Sequence, residues 1–250
     1  MNYLPSELLT DYAHQFYGFG TWNAKVWFVG IEETGGENLD EIHSRLRVWD
    51  ERGKKPLENA PIFYPASGVK NWHGTDATIQ PTWKQLIRML LLARGERDTA
   101  GAILDYQRAE WGSTGSQTCV VDLLPLPSPT PADWTYHNWS PLGWLSDRTL
   151  YLKELKTKRM THLKERVAEQ RPKVVIFHGT TLPSGTSLLP IWIQIAGRGR
   201  FQQAIEGKRI LLVQQTEHTL FFVTRDPASE TDAYFREIGR FLRDEFGKSF

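Results

Sequence analysis

Val26-Trp27-Phe28-Val29-Gly30-Ile31-Glu32-Glu33-Thr34-Gly35 is the stretch on which the reading of the fold turns. Its first four residues form an unbroken apolar run with β-favouring types, and Gly30 stops it. Such a run is too short for a helix and predicts a strand buried on both faces. Two other segments repeat the pattern. Thr118-Cys119-Val120-Val121-Asp122-Leu123-Leu124 runs into the proline-rich Pro125-Leu126-Pro127-Ser128-Pro129, and Lys173-Val174-Val175-Ile176-Phe177 ends at His178-Gly179-Thr180-Thr181. Arg209 to Gln215 and Leu220 to Thr224 read as two further strands, close enough for a hairpin.

Helical spacing fills the intervals. Ser6 is placed to cap a first helix carrying Leu8, Leu9, Tyr12 and Phe16. Further helices are predicted from Leu39 to Trp49, Thr82 to Leu92, Thr99 to Trp111, Arg148 to Gln170 and Glu230 to Phe246. Residues 52–80, with Pro61-Ile62-Phe63-Tyr64-Pro65, read as a long ordered loop. Strands alternating with helices predict an α/β fold: a central, mainly parallel sheet of about four strands flanked by helices, with an antiparallel edge hairpin. Neither a repeat nor a linker divides the chain, so residues 1–250 read as a single domain.

Composition narrows the chemistry. Thirty basic residues against 29 acidic ones leave a net charge of +1, which is no nucleic-acid signature by itself but allows a local basic groove. One cysteine, Cys119, excludes an intramolecular disulfide, a four-cysteine zinc site and a cysteine-bound iron–sulfur cluster. With no signal-peptide pattern and no long apolar run, the expectation is a cytoplasmic protein without membrane, metal or cofactor, and a monomer. Ten tryptophans are an unusual number. Trp72, Trp134, Trp139 and Trp144 fall in loop-like sequence, where they suit a site for a flat ring or a sugar.

In parallel α/β folds the site lies beyond the carboxyl ends of the strands. That rule selects Glu32 and Glu33, Asp122, His178 and Thr180, and Arg225 and Asp226. No phosphate-binding glycine loop of the mononucleotide or dinucleotide type is present, which argues against a nucleotide-binding α/β protein.

These blocks resemble the uracil-DNA glycosylase superfamily. Gly30-Ile31-Glu32 is similar to the family's catalytic loop after the first strand, which places Glu32 as the water-activating residue and Gly30 and Ile31 against the base. Phe63 or Tyr64 resembles the aromatic on which the flipped base stacks, with Trp72 beside it. Asp122 resembles the residue that reads the base edge, and Val174 to Thr180 the third strand. Val223-Thr224-Arg225-Asp226-Pro227-Ala228-Ser229 resembles the strand followed by His-Pro-Ser. The resemblance implies DNA as partner and a monofunctional glycosylase that leaves an abasic site. Some similar members remove glucosylated hydroxymethylcytosine from phage DNA in antiviral defence; a uracil-specific repair enzyme and a catalytically silent nucleic-acid-binding domain are the alternatives.

Asp226 departs from the pattern, because an ionised carboxylate cannot donate to the departing base as histidine does. The expectation is a protonated Asp226, a water held by it, or His218 in the donor role. Apart from that role, His178 and His218 read as ordinary hydrogen-bonded histidines. Thr180 and Thr181, Arg225, Ser229 and the basic tip Gly197-Arg198-Gly199-Arg200 are the candidate DNA contacts. An ionised Asp122 would accept from the amino group of cytosine and repel uracil O4, so the residues favour a modified cytosine.

Overall fold

The computed structural model describes residues 3–68, 72–130, 133–182, 185–197, 201–203, 212–247 and 250. In chain order these form α1 (Ser6–Gln15), β1 (Gly18–Phe19), β2 (Val26–Thr34), α2 (Leu39–Glu51), β3 (Leu57–Glu58) and α3 (Ala60–Ser67). Next come α4 (Pro81–Ala93), α5 (Ala100–Ala109), β4 (Thr118–Ser128), α6 (Tyr136–Trp139), a 3-10 turn (Gly143–Leu145) and α7 (Arg148–Gln170). The remainder is β5 (Val174–His178), α8 (Leu189–Ala196), β6 (Gln202–Gln203), β7 (Leu212–Gln215), β8 (Leu220–Thr224) and α9 (Asp232–Phe246).

The described strands make one eight-stranded sheet in the order β3-β1-β4-β2-β5-β8-β7-β6. Its centre, β4-β2-β5-β8, is parallel throughout. The hairpin partner β7 runs antiparallel to β8. The α/β class and the edge hairpin therefore stand, with more strands than the apolar runs alone predicted; β1, β3 and β6 are two-residue strands without a pattern to read. Of the predicted Arg209–Gln215 strand, Arg209 to Leu211 lie outside the described residues.

The central runs are strands because every residue in them is apolar and covered. Val26 to Val29 and Val174 to Phe177 are buried, as are Leu220 to Val223. The helices shield them: α9 turns Tyr234, Phe235, Ile238 and Leu242 inward at helical spacing. It packs on α4 across Gly239, where a Cβ would lie 2.7 Å from Leu92 Cβ and 2.9 Å from the Met89 carbonyl. Among the described residues no helix is long and apolar enough to cross a membrane.

Three local expectations change. First, β2 and β4 do not end at Val29 and Leu124 but continue together as a ribbon to Thr34 and Ser128. The register slips between Glu32↔Leu124 and Thr34↔Ser128, which absorbs two extra residues of β4 where Pro125 and Pro127 lack N–H donors. Glu32 thus sits within the strand and not in a loop after it. Second, the proline-rich stretch after Asn59 is helix α3: Pro61 lies in its first turn, where no donor is required, and Gly68 ends it at φ 65°. Third, Ser6 makes no side-chain cap; instead the Thr10 hydroxyl donates to its carbonyl.

Candidate active site

The four parallel strands run in spatial order second, first, third, fourth, counted along the chain. The order reverses between β2 and β5, the kind of switch point at which open parallel sheets hold ligands. Gly30 lies there. It pairs with Asp122 of β4, and one residue before it Val29 pairs with Phe177, so His178 follows on the other side. A Cβ on Gly30 would lie 2.3 Å from Asp122 Oδ1 and 2.8 Å from His178 Nε2. Only a glycine lets these side chains approach over the β2 backbone.

Asp122 is fixed through its backbone. Its N–H donates to the Tyr17 carbonyl at 2.9 Å, and its carbonyl accepts from Arg159 Nη2 at 3.1 Å. Burial raises the Asp122 carboxyl well above the ordinary carboxylate range; the neighbouring Glu33 and Glu32 raise it further, against the lowering effect of Arg159. His178 is shifted the other way. Burial lowers it to about 4, opposed by the Asp226 carboxylate, so its imidazole is neutral at physiological pH. Asp122 and His178 are both pushed toward uncharged forms able to donate a hydrogen bond.

Glu32 and Glu33 stand side by side in β2 yet meet different surroundings. Glu33 receives a fork from buried Arg45, with Nη1–Oε2 2.9 Å and Nη2–Oε1 3.0 Å, and the Tyr64 hydroxyl donates to Oε1 at 2.6 Å. Arg45 is held in turn by Glu41, which also accepts from the backbone N–H groups of Gly36 and Glu37. Glu33 is therefore a tie between β2, α2 and α3. Glu32 has a side chain only 6% exposed and a single described partner, Arg148 Nη2, at its Oε2. Burial pushes its carboxyl up to about 7, against the pull of Arg148.

Several residues selected from the sequence lie elsewhere. Phe63 and Tyr64 have no exposed surface. Phe63 packs between Phe16 and Phe19, at 5.9 and 5.5 Å between ring centres, and the hydroxyl of Tyr64 is committed to Glu33. Neither ring is open to stack on a base, because α3 turns both into the core. Trp72, partly exposed, packs edge-on against Tyr64 and Trp83, and Ile31 is partly buried. His218 is exposed in the turn between β7 and β8. Since Leu220 pairs with Val174 and Thr224 with His178, that turn is at the opposite end of the sheet from His178. His218 cannot act at the Gly30 site.

Asp226 comes near enough for its charge to act on His178, but it is exposed and its Oδ1 accepts from the Ala228 N–H at 2.9 Å as part of a turn. Ser229 donates its hydroxyl to the Asp226 carbonyl, and Arg225 is paired with Glu230 at 2.6 Å. Thr180 is partly exposed and Thr181 exposed, bridging to Ser187. Arg198 and Arg200 lie outside the described residues. The structure therefore brings together Gly30, Glu32, Asp122, His178 and Asp226.

Two residues of this site escaped a role in the sequence reading. His178 carried a signal, its place at the end of a buried strand. Arg148 carried almost none, since a lone arginine at a helix start looks like any solvated charge. Among the described residues no group of three or more His, Cys, Asp or Glu side chains could hold a metal ion. Compared with protein-family models the chain matches none, and comparison with curated proteins likewise yields no match.

Proposed function

We propose that this protein is a DNA glycosylase that hydrolyses the N-glycosidic bond of a flipped base. The observation that carries the reading is the approach of Asp122 and His178 over Gly30 at the switch point, with the buried Glu32 carboxyl, pushed up to about 7, two residues farther along the same strand and the His178 imidazole lowered to about 4. Titratable groups pushed apart by their environments mark a division of acid and base labour. Cleavage leaves an oxocarbenium-like sugar and an anionic base. Ionised Glu32 stabilises the first and accepts the proton of the attacking water, whose oxygen bonds to the sugar carbon as the base departs with the bonding pair. Neutral His178 donates its ring N–H to the developing anion, the role the motif resemblance left vacant at Asp226.

Asp122 then faces the base edge. A carboxyl held toward its neutral form both donates and accepts. The charge argument that an ionised Asp122 repels uracil therefore no longer favours cytosine, and uracil belongs in the test beside the modified cytosines.

The experiment offers the purified protein DNA carrying uracil, hydroxymethylcytosine or glucosylated hydroxymethylcytosine, and reads alkali-labile sites and released base by mass spectrometry. Base release from one of them is expected. Glu32→Gln should slow it about 10²–10⁴-fold while DNA affinity stays within a few-fold, because the charge acts on the transition state. DNA binding without an abasic site on any substrate would instead make the protein a silent binding domain.

A further inference from the structure

Away from the Gly30 site, a cavity of about 420 Å³ lies between the end of α1, the turn after β1 and the second half of α7. Its size is that of a small-molecule site, and it shares no lining residue with the Gly30 site. Aromatic rings wall it. Tyr17 and Trp22 stand 5.7 Å apart between ring centres at 65°, and His162 lies 4.7 Å from the first and 6.0 Å from the second. Trp22 and His162 are partly exposed, so these rings are reached from outside. Trp22 is backed by buried Trp27 at 5.3 Å, which fixes its place.

The described lining holds no carboxylate and three permanent cations, Lys158, Arg159 and Arg166. The Lys158 and Arg166 side chains are 66% and 36% exposed, and each pairs with a glutamate of its own helix, Glu154 at 2.8 Å and Glu169 at 3.0 Å. Arg166 is oriented as well as charged. Its Nε donates to His162 Nε2 at 3.0 Å and its guanidinium carbon lies 5.9 Å from the Trp22 ring centre, while Nη2 has no partner among the described residues. Arg159 is buried, 3.8 Å from the centre of the Tyr17 ring. It donates to the backbone carbonyls of Ala13, Asp122 and Leu123, none of which carries a charge to balance it. The two histidines respond to this field. Burial lowers both, and the cations Lys158 at His14 and Arg166 and Arg159 at His162 lower them further. These cations outweigh Glu154 and Asp11 at the first ring and Glu165 and Glu169 at the second. A positive potential therefore lies over faces suited to a flat ring.

We propose that this cavity is a second site, for a nucleotide: a planar base packs against Trp22 beside His162, and its phosphate is held at the rim by Arg166 and Lys158. The two halves of the ligand answer the two halves of the lining, since aromatic walls select a flat ring and exposed cations an anion. No glycine loop is needed, because side chains and not backbone N–H groups meet the phosphate. Arg159 does not touch the ligand and acts only through its charge behind Tyr17. A free nucleotide and a single-stranded nucleic acid carry the same chemistry, and the experiment separates them. The proposal is independent of the glycosylase reading.

Titration calorimetry on the full chain tests it with four probes: deoxyadenosine monophosphate, deoxyadenosine, inorganic phosphate and a short single-stranded oligodeoxyadenylate. The mononucleotide or the strand should bind the wild type more tightly than deoxyadenosine or phosphate alone. That affinity should fall about 10-fold in Trp22→Leu, which removes the stacking face, and about 10-fold in Arg166→Ala. Arg166→Lys should lose less, because it keeps the charge. A strand that binds more tightly than the mononucleotide, with the same losses, supports the site and makes single-stranded nucleic acid its source. Binding of the mononucleotide without gain from the strand supports it with free nucleotide as the source. Unchanged affinity in both Trp22→Leu and Arg166→Ala would place the nucleotide elsewhere, first at the Gly30 site, and overturn the proposal. Phosphate that binds as tightly as the nucleotide would overturn the base contact, and binding of none of the four probes would overturn the site. Thermal melts identify a Trp22→Leu that fails to fold, in which case Trp22→Phe and Arg166→Ala decide. Absence of base release from every DNA, with these affinities as expected, would sink the glycosylase reading and leave this site standing.

Discussion

Two adjacent glutamates differ here because of what faces them, not because of what they are. Glu33 meets a fork and a phenol, whereas Glu32 meets one N–H and a dry surround. The pH–rate profile should carry that difference. In the proposed reaction Glu32 acts ionised, and its carboxyl is raised to about 7, so the rate should climb about tenfold per pH unit below that value and level off above it. The proposed donor His178 works in its neutral form and is lowered to about 4, so its protonation should not limit the rate above pH 5. His178→Ala should lower the plateau about 10²–10⁴-fold and leave the acidic limb in place. Should the limb near 7 persist in Glu32→Gln at reduced rate, it belongs to another group. Nothing in the types Glu-Glu separates the two residues. Which one is neutralised by a fork depends on Arg45 and Tyr64, brought over from α2 and α3.

At the scale of elements, periodic apolar spacing located helices well, and proline misled. Arg148 to Gln170 is the helix that the sequence predicts, residue for residue. Pro61 to Pro65 suggested loop, yet Pro61 falls in the first turn of α3 and costs no hydrogen bond there. Pro125 and Pro127 suggested the end of β4, but the strand continues through a register slip beside β2. The α4–α9 contact gives a direct test. Gly239→Ala gains about 1 kcal/mol in helix propensity, yet its methyl group would press on Leu92 Cβ and the Met89 carbonyl, neither free to swing away. A net loss of about 1–2 kcal/mol is expected from overpacking, read as a lower urea midpoint with unchanged slope. A stability equal to or above wild type would mean that the two helices separate easily.

For the whole molecule, the parallel order of β4-β2-β5-β8 places every site residue at one end of the sheet and the β7–β8 turn at the other. His218→Ala should therefore leave both the rate and its pH dependence unchanged, as steady-state kinetics across pH 5–9 would record. A changed plateau or a shifted acidic limb in that variant would contradict the placement of His218 at the far end of the sheet. The sequence by itself determined the α/β class and the buried central strands, since run length, residue type and spacing are local properties, and it offered the polar residues at the carboxyl ends of those strands as candidates for a site. It also singled out Glu32 and Asp122. Only the tertiary structure decided that Phe63 and Tyr64 face the core, that His178 and not His218 stands beside Gly30, and that Arg148 reaches Glu32 across 116 residues of chain. Burial, the direction of a side chain and the neutralising partner of a charge are set by which elements pack together. A protonation state follows from those neighbours, and they are distant in sequence.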